Sequence, residues 1–495
     1  MNTSAPVPLV SERPPPPAEE KHVSTAEIDH SCRDPLLLLF VGAMIWVAVG
    51  LFFGLITSIK LHAPGFLANV GWLTFGRVRP AAMNAILYGF ASQAGIGVLL
   101  WILCRLGGIQ LLFQRTLLIA GSLWNLGVLL GVYGILAGGS TGFEWLEMPR
   151  YASPLLFVAY ALIGICATIM FYVRRQGSLY VSQWYLLTAL FWFPWIYSAA
   201  NLLLIFLPVR GVVQAIVDAW FTSNFLGLWL TSIALGIVFY FLPKLRGRPL
   251  DNYYLAAFGF WTFLFFASWT GPAKLVGGPA PAWMVSVAIA ANLLLVVPIL
   301  CVAMNWHLTM RGLYAKVRTD VTLRFMVFAA ASYLLSSLMG IVLSLREVSV
   351  LTHLTFVETA QVQVALLGFV SMALFGSLYY IIPRALGMIW PSAKLVQVHF
   401  WCSAIGLGLV FLAFFFGGIV QGVGLNNPNA PMINVVQSTI PFIGLSTLGI
   451  LGLLAGQLAL LWNLLLLLRA HCEPLYQSAM ALVRNGAVAG GGSYE

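Results

Sequence analysis

Charge is what this sequence has least of. Of its 495 residues only 8% are Asp, Glu, Lys or Arg, whereas 60% are hydrophobic. A water-soluble domain carries roughly 25% charged residues. So long and apolar a chain cannot hide its hydrophobic surface in one aqueous core, which excludes a soluble enzyme and makes lipid the solvent. The formal charge of +10 is small for this length and falls mostly in short loops. It reads as membrane topology and excludes a nucleic-acid footprint. The six cysteines (Cys32, Cys104, Cys166, Cys301, Cys402 and Cys472) are scattered. With no CxxC, CxxCH or zinc-type spacing, they exclude covalent heme c and a cysteine metal site. A soluble domain and a short repeat are also lacking.

What the sequence does have is long apolar runs. Twelve lie at 36–59, 81–104, 116–138, 153–173, 180–207, 212–243, 253–272, 282–306, 323–345, 355–383, 395–421 and 435–468. Each approaches or exceeds the ~20 residues that cross a bilayer. The expected fold is an all-α polytopic membrane protein of about twelve transmembrane helices, occupying residues 35–470. Residues 1–34 are polar, with Pro14, Pro15, Pro16 and Pro17 in a row and no apolar segment near Met1. They are expected to form a disordered cytoplasmic tail, not a signal peptide. Residues 471–495 form a second short tail. Twelve spans put both termini on one side. Basic residues such as Arg174, Arg175, Lys244, Arg246, Lys316 and Arg318 concentrate in the loops of that side, so both termini are expected in the cytoplasm of a bacterial-type inner membrane.

Several segments carry a family pattern. The run Trp72-Leu73-Thr74-Phe75-Gly76-Arg77-Val78-Arg79-Pro80 leads to Asn84-Ala85. Tyr180-Val181 and Trp184 open the fifth span, and Phe241-Leu242-Pro243-Lys244 with Gly247-Arg248-Pro249 closes the sixth. Gly271-Pro272 ends the seventh. Lys316-Val317-Arg318-Thr319-Asp320 and Leu323-Arg324-Phe325 precede the ninth. Gly376-Ser377-Leu378-Tyr379-Tyr380 and Ile382-Pro383-Arg384 end the tenth. Val398-His399-Phe400-Trp401 opens the eleventh, and Gln421-Gly422 follows it. In order and spacing, from about residue 35 to 422, this pattern resembles the catalytic subunit I of heme–copper oxidases, most closely the cbb3-type cytochrome c oxidases.

The resemblance implies two hemes and a copper held by six helix-borne histidines, since heme iron takes axial imidazoles and such copper sites take three. The motifs locate each expected position. The second-span heme ligand falls at Ala82, and the tenth-span pair at Gln361 and Gln363. Residues i and i+2 lie ~200° apart on a helix, so that pair would serve two hemes on opposite sides. The copper ligands fall at Ser223, Ala273 and Lys274. The family's cross-linked tyrosine falls at Ala267. Alanine has no donor atom, serine and glutamine are weak neutral ligands, and lysine ligates only when neutral. The seven histidines offer no replacement. His22, His30 and His471 lie in tails, His62 and His307 near loop ends, and His353 and His399 at family positions that are not ligands. No cofactor is therefore expected; heme b and copper return only if these assignments fail.

Few ionisable groups remain in the spans, and such groups are functional candidates. Asp218, Lys274 and Glu358 are expected to converge where the copper would sit, a Lys–carboxylate pair replacing the metal's charge. The bland alternative is that each reaches interfacial water. Glu144 and Glu147 resemble the acidic pair near the family's calcium and heme propionates, and Arg77 and Arg79 lie where the family meets propionates. Salt bridges are the bland reading for all four, and packing is for His399 and Trp401. The leading expectation is a non-catalytic oxidase-like subunit of a respiratory electron-transport assembly, partnered by lipid and by other membrane subunits such as a membrane-anchored cytochrome c. The alternatives are proton, ion or small-molecule transport through the emptied cavity, and a working terminal oxidase.

Overall fold

The computed structural model describes residues 23–175 and 177–490. The Pro14–Pro17 run and His22 lie outside them. The helices are α1 (Thr25–Ser31), α2 (Arg33–His62), α3 (Phe75–Gly107), α4 (Gln114–Ala137), α5 (Ala152–Tyr172), α6 (Val181–Phe206), α7 (Val212–Arg246), α8 (Tyr253–Ala267), α9 (Ala282–Met310), α10 (Val321–Leu343), α11 (Arg346–Thr352), α12 (Phe356–Leu386), α13 (Ala393–Leu425) and α14 (Met432–Gly490). Eleven of them are long and apolar enough to cross a membrane. The seventh expected span, 253–272, is the one not among them, being helical only through Ala267. Thr270-Gly271-Pro272 then turn into a 3₁₀ segment, Gly271–Leu275, because Pro272 lacks the N–H that would continue the α-helix.

One expectation for the tails is corrected. Residues 25–31 and 33–34, expected to be disordered, are helical, with a turn at Cys32 between them. Ser24 caps α1, its hydroxyl accepting from the Glu27 amide at 3.2 Å while Glu27 accepts from the Ser24 amide at 2.9 Å. At the other end α14 continues past residue 470 to Gly490.

Burial separates the helices into a centre and a ring. In α3, α7 and α12 the apolar stretches are 100%, 94% and 89% buried, against 28–50% in the other spanning helices. These three are the second, sixth and tenth spans, and the rest surround them. The ring closes because α14 packs along both α13 and α2. At the α13–α14 crossing Gly406 and Gly449 face each other. A Cβ on Gly406 would lie 2.7 Å from the Gly449 carbonyl, so only glycine lets the two backbones approach.

The central helices also repeat one another over a long period. Each widens into a π-helical turn (Ala85–Ser92, Phe225–Leu230, Val364–Val370). In each, a hydroxyl just past or at the end of the turn donates to the carbonyl five residues back: Ser92 to Leu87 at 2.7 Å, Thr231 to Leu226 at 2.8 Å, Ser371 to Leu366 at 2.8 Å. The aromatics Trp101, Tyr240 and Tyr380, the cations Arg105, Lys244 and Arg384, and the left-handed glycines Gly108, Gly247 and Gly387 follow these hydroxyls at the same offsets. A pattern that spaces matching residues four spans apart escapes a search for short repeats.

Candidate functional site

The face opposite the N-terminus carries most of the residues singled out above, at the starts of α3, α7 and α12 and in the loops joining them. The loop between α4 and α5 turns inward at Trp145, whose φ of +63° is rare for a bulky residue. Its ring is buried, and Tyr88 of α3 donates its hydroxyl to the Trp145 carbonyl at 2.7 Å. Trp145 meets Phe225 of α7 at 6.1 Å between centroids, and the Lys274 ammonium stands 5.6 Å from its ring. That distance is within the reach of a cation–π contact. Lys274 also donates to the Thr222 hydroxyl at 3.4 Å.

Next to it, Ser223 hydrogen-bonds Thr270 at 2.7 Å, and Thr270 donates to the Ala267 carbonyl at 2.9 Å. Asn224, the neighbour of Ser223, accepts from the Trp192 indole at 3.2 Å and donates to the Trp220 carbonyl at 2.8 Å. On α3, Asn84 donates to Glu147 at 2.7 Å. Burial raises the Glu147 carboxyl from its ordinary 4.5 to about 7, the Asn84 hydrogen bond working against that shift.

The expected pairing of Lys274 with Asp218 or Glu358 is not what forms. Lys274 lies close enough to feel Asp218 and His353 electrostatically, but makes an ion pair with neither carboxylate. Glu358 instead meets His353, five residues earlier, at 2.9 Å, and this contact raises the His353 imidazole above its usual range. The α11–α12 corner supplies that closer partner, while Thr222 and Trp145 hold the lysine. One oxygen of Asp218 is buried without a hydrogen-bond partner.

The remaining candidates are structural in their contacts. Arg77 donates to the carbonyls of Gly71 at 3.0 Å and Leu136 at 3.2 Å, tying the α2–α3 loop to the C-terminus of α4. Arg79 is exposed. His399 is wholly buried, held between Tyr379 at 2.9 Å and Gln457 at 3.1 Å, and so pins α12, α13 and α14 together. Trp401 is 54% exposed and faces outward. Sequence reasoning missed Trp145, Thr222 and Thr270. The one signal that could have pointed to Trp145 is the acidic pair, Glu144 and Glu147, on either side of it.

The six positions that the resemblance assigns to metal ligands can be tested for fit. Ala82 and Ala273 have no donor. The Ser223 hydroxyl is bound to Thr270, the Gln361 amide donates to the Ser336 carbonyl at 3.2 Å, and Lys274 is held as described. Gln363 is a half-buried neutral amide. Among the described residues no three side chains of His, Cys, Asp or Glu gather as ligands. This donor set does not fit two hemes and a copper.

Comparison with known proteins places the fold. Residues 34–452 match the family described as Cytochrome C and Quinol oxidase polypeptide I. A "Cytochrome c oxidase subunit 1 homolog" of Azorhizobium caulinodans is 27% identical over 443 residues, covering 85% of this chain and 79% of its own. The "Cbb3-type cytochrome c oxidase subunit CcoN1" of Stutzerimonas stutzeri is 28% identical over 392 residues, covering 77% of this chain and 82% of its own. A solved heme-copper terminal oxidase shares the fold, with a TM-score of 0.64 and 13% identity over 90% of this chain and 84% of that one. The chain is thus a multi-span membrane protein that belongs to the cytochrome c and quinol oxidase polypeptide I family.

Proposed function

We propose that this chain is a non-catalytic homologue of oxidase subunit I, which keeps the helical scaffold and has given up heme and copper. The observation that carries the reading is the side-chain set at Ala82, Ser223, Ala273, Lys274, Gln361 and Gln363. Two lack a donor, and Ser223, Lys274 and Gln361 spend their polar atoms on protein partners. The role that follows is a structural subunit of a respiratory membrane assembly in a bacterial-type inner membrane. A membrane-anchored cytochrome c or a catalytic paralogue is the expected partner. The basic residues in the loops of the face carrying α1 support a cytoplasmic location for it. The testing experiment is the absorption spectrum of the purified protein, with iron and copper determination. No Soret band and substoichiometric metal are expected. A strong Soret band with stoichiometric heme would overturn the reading and restore a working oxidase.

A transport reading draws on Asp218, whose buried oxygen has no partner although the group lies beside Lys274 and Glu144. Proton or ion flux in liposomes that is abolished by Asp218→Asn would favour it.

A further inference from the structure

On the N-terminal face, α1 packs against the ends of α3 and α12, and nothing in the proposed function uses it. A seven-residue helix has no stability of its own in water, so its contacts hold it in place. The strongest are polar. Asp29 accepts from the Trp101 indole at 2.9 Å and pairs with Arg105 at 3.3 Å. The two charged side chains are only 7% and 8% exposed. Arg105 also donates to the Thr25 carbonyl at 3.0 Å, and the Leu111 amide donates to Ser31 at 2.9 Å.

Beside α1 the long repeat brings like charges together, with Arg105 buried and Lys244 and Arg384 exposed. Arg105, Lys244 and Arg384 occupy matching positions on α3, α7 and α12. Lys244 feels the repulsion of both arginines and the attraction of Asp29. Beneath them Trp101 packs against Tyr240 at 5.6 Å and Tyr380 at 5.9 Å, closing the axis between the helices. The Cys32 and Cys104 thiols touch each other and are wholly buried. A cleft of about 870 Å³, lined by Thr25, Asp29 and Ser31 of α1 and by Arg105, Gln114 and Arg384, runs along one flank.

We propose that α1 is a hinged lid, closed by Asp29 over Arg105 and Trp101, that seals the N-terminal-face end of the central three-helix axis. The closure is electrostatic. Asp29 pairs with Arg105 and attracts Lys244, and without it Arg105 is left buried and unpaired. Opening uncovers the two thiols and the aromatic neck. The lid depends on no metal, so it stands or falls independently of the cofactor reading.

The buried thiols report on it. The full-length protein in detergent is treated with a small maleimide, and modification of each cysteine is followed by peptide mass spectrometry. In the native protein Cys32 and Cys104 should react slowly. Asp29→Asn keeps the side-chain shape but removes the charge. It should speed both by about tenfold or more while Cys166 and Cys301, on other helices, keep their native rates, because labelling follows the open population. Trp101→Phe, which deletes one hydrogen bond, should produce a smaller rise at the same two cysteines. Unchanged rates in a folded Asp29→Asn protein, or Cys32 and Cys104 already reacting fast in the native chain, would overturn the lid. So would equal acceleration at Cys166 and Cys301, because α1 would then be an integral part of the fold.

Discussion

Replacing Glu147 with Gln should remove a pH dependence of stability that the native protein carries. The carboxyl titrates at about 7 in the fold and at 4.5 when exposed, because burial disfavours its charged form more than Asn84 favours it. Below about pH 4.5 both states hold the proton and the full contribution is present. As the pH rises from 4.5 to about 7 the unfolded chain releases its proton while the folded one keeps it, so stability falls. Above 7 both are ionised and the curve flattens. At about 1.4 kcal/mol per unit, the difference of some two and a half units amounts to about 3 kcal/mol lost across that window. Gln can still accept the Asn84 hydrogen bond, so Glu147→Gln tests ionisation and not geometry. The assay is thermal unfolding in detergent at pH 5 and pH 8. His353, raised by Glu358, loses its contribution as the pH passes through its own folded value, above 6.5, so the comparison is best made in a His353→Gln background. The native protein should lose stability at pH 8 relative to Glu147→Gln. Parallel pH profiles for the two would refute the reasoning.

Two further substitutions probe the scaffold. Gly406→Val places a Cβ 2.7 Å from the Gly449 carbonyl and 2.9 Å from the Leu453 amide, so α13 and α14 must part. The expected outcome is a cost of at least ~2 kcal/mol, read as a lowered unfolding temperature and aggregation on size-exclusion chromatography. Trp145→Ala empties a buried pocket against Phe225 and removes the ring facing Lys274. It should cost about 3–5 kcal/mol in unfolding assays, whereas Trp401→Ala, at a position facing outward, should cost far less.

The membrane class and the helix count were legible because lipid imposes a one-dimensional rule. A span must be long and apolar wherever it sits, so the runs in the sequence map onto the helices almost one for one. The misses have local causes. Pro272 cut the seventh span short, since an imide ends a helix more effectively than hydrophobicity extends it. The first turns after Ser24 were read as disorder because they are polar. Their stability comes from Trp101 and Arg105, some 75 residues away in the chain.

The site shows the same division. Which residue types stand at Ala82, Ser223, Ala273, Lys274, Gln361 and Gln363 is written in the sequence, and with it the absence of imidazole there. The partners of the few charges are not. Lys274 could have met Asp218 or Glu358 by any argument from spacing, yet it sits over Trp145 and against Thr222, while Glu358 turns to His353. Composition alone made this chain a bundle of membrane helices, because the solvent selects apolar length. Only the tertiary structure decided which buried polar groups met. Those choices depend on distances of a few ångströms between helices remote in sequence, and in a medium of low dielectric the nearest partner takes the hydrogen bond.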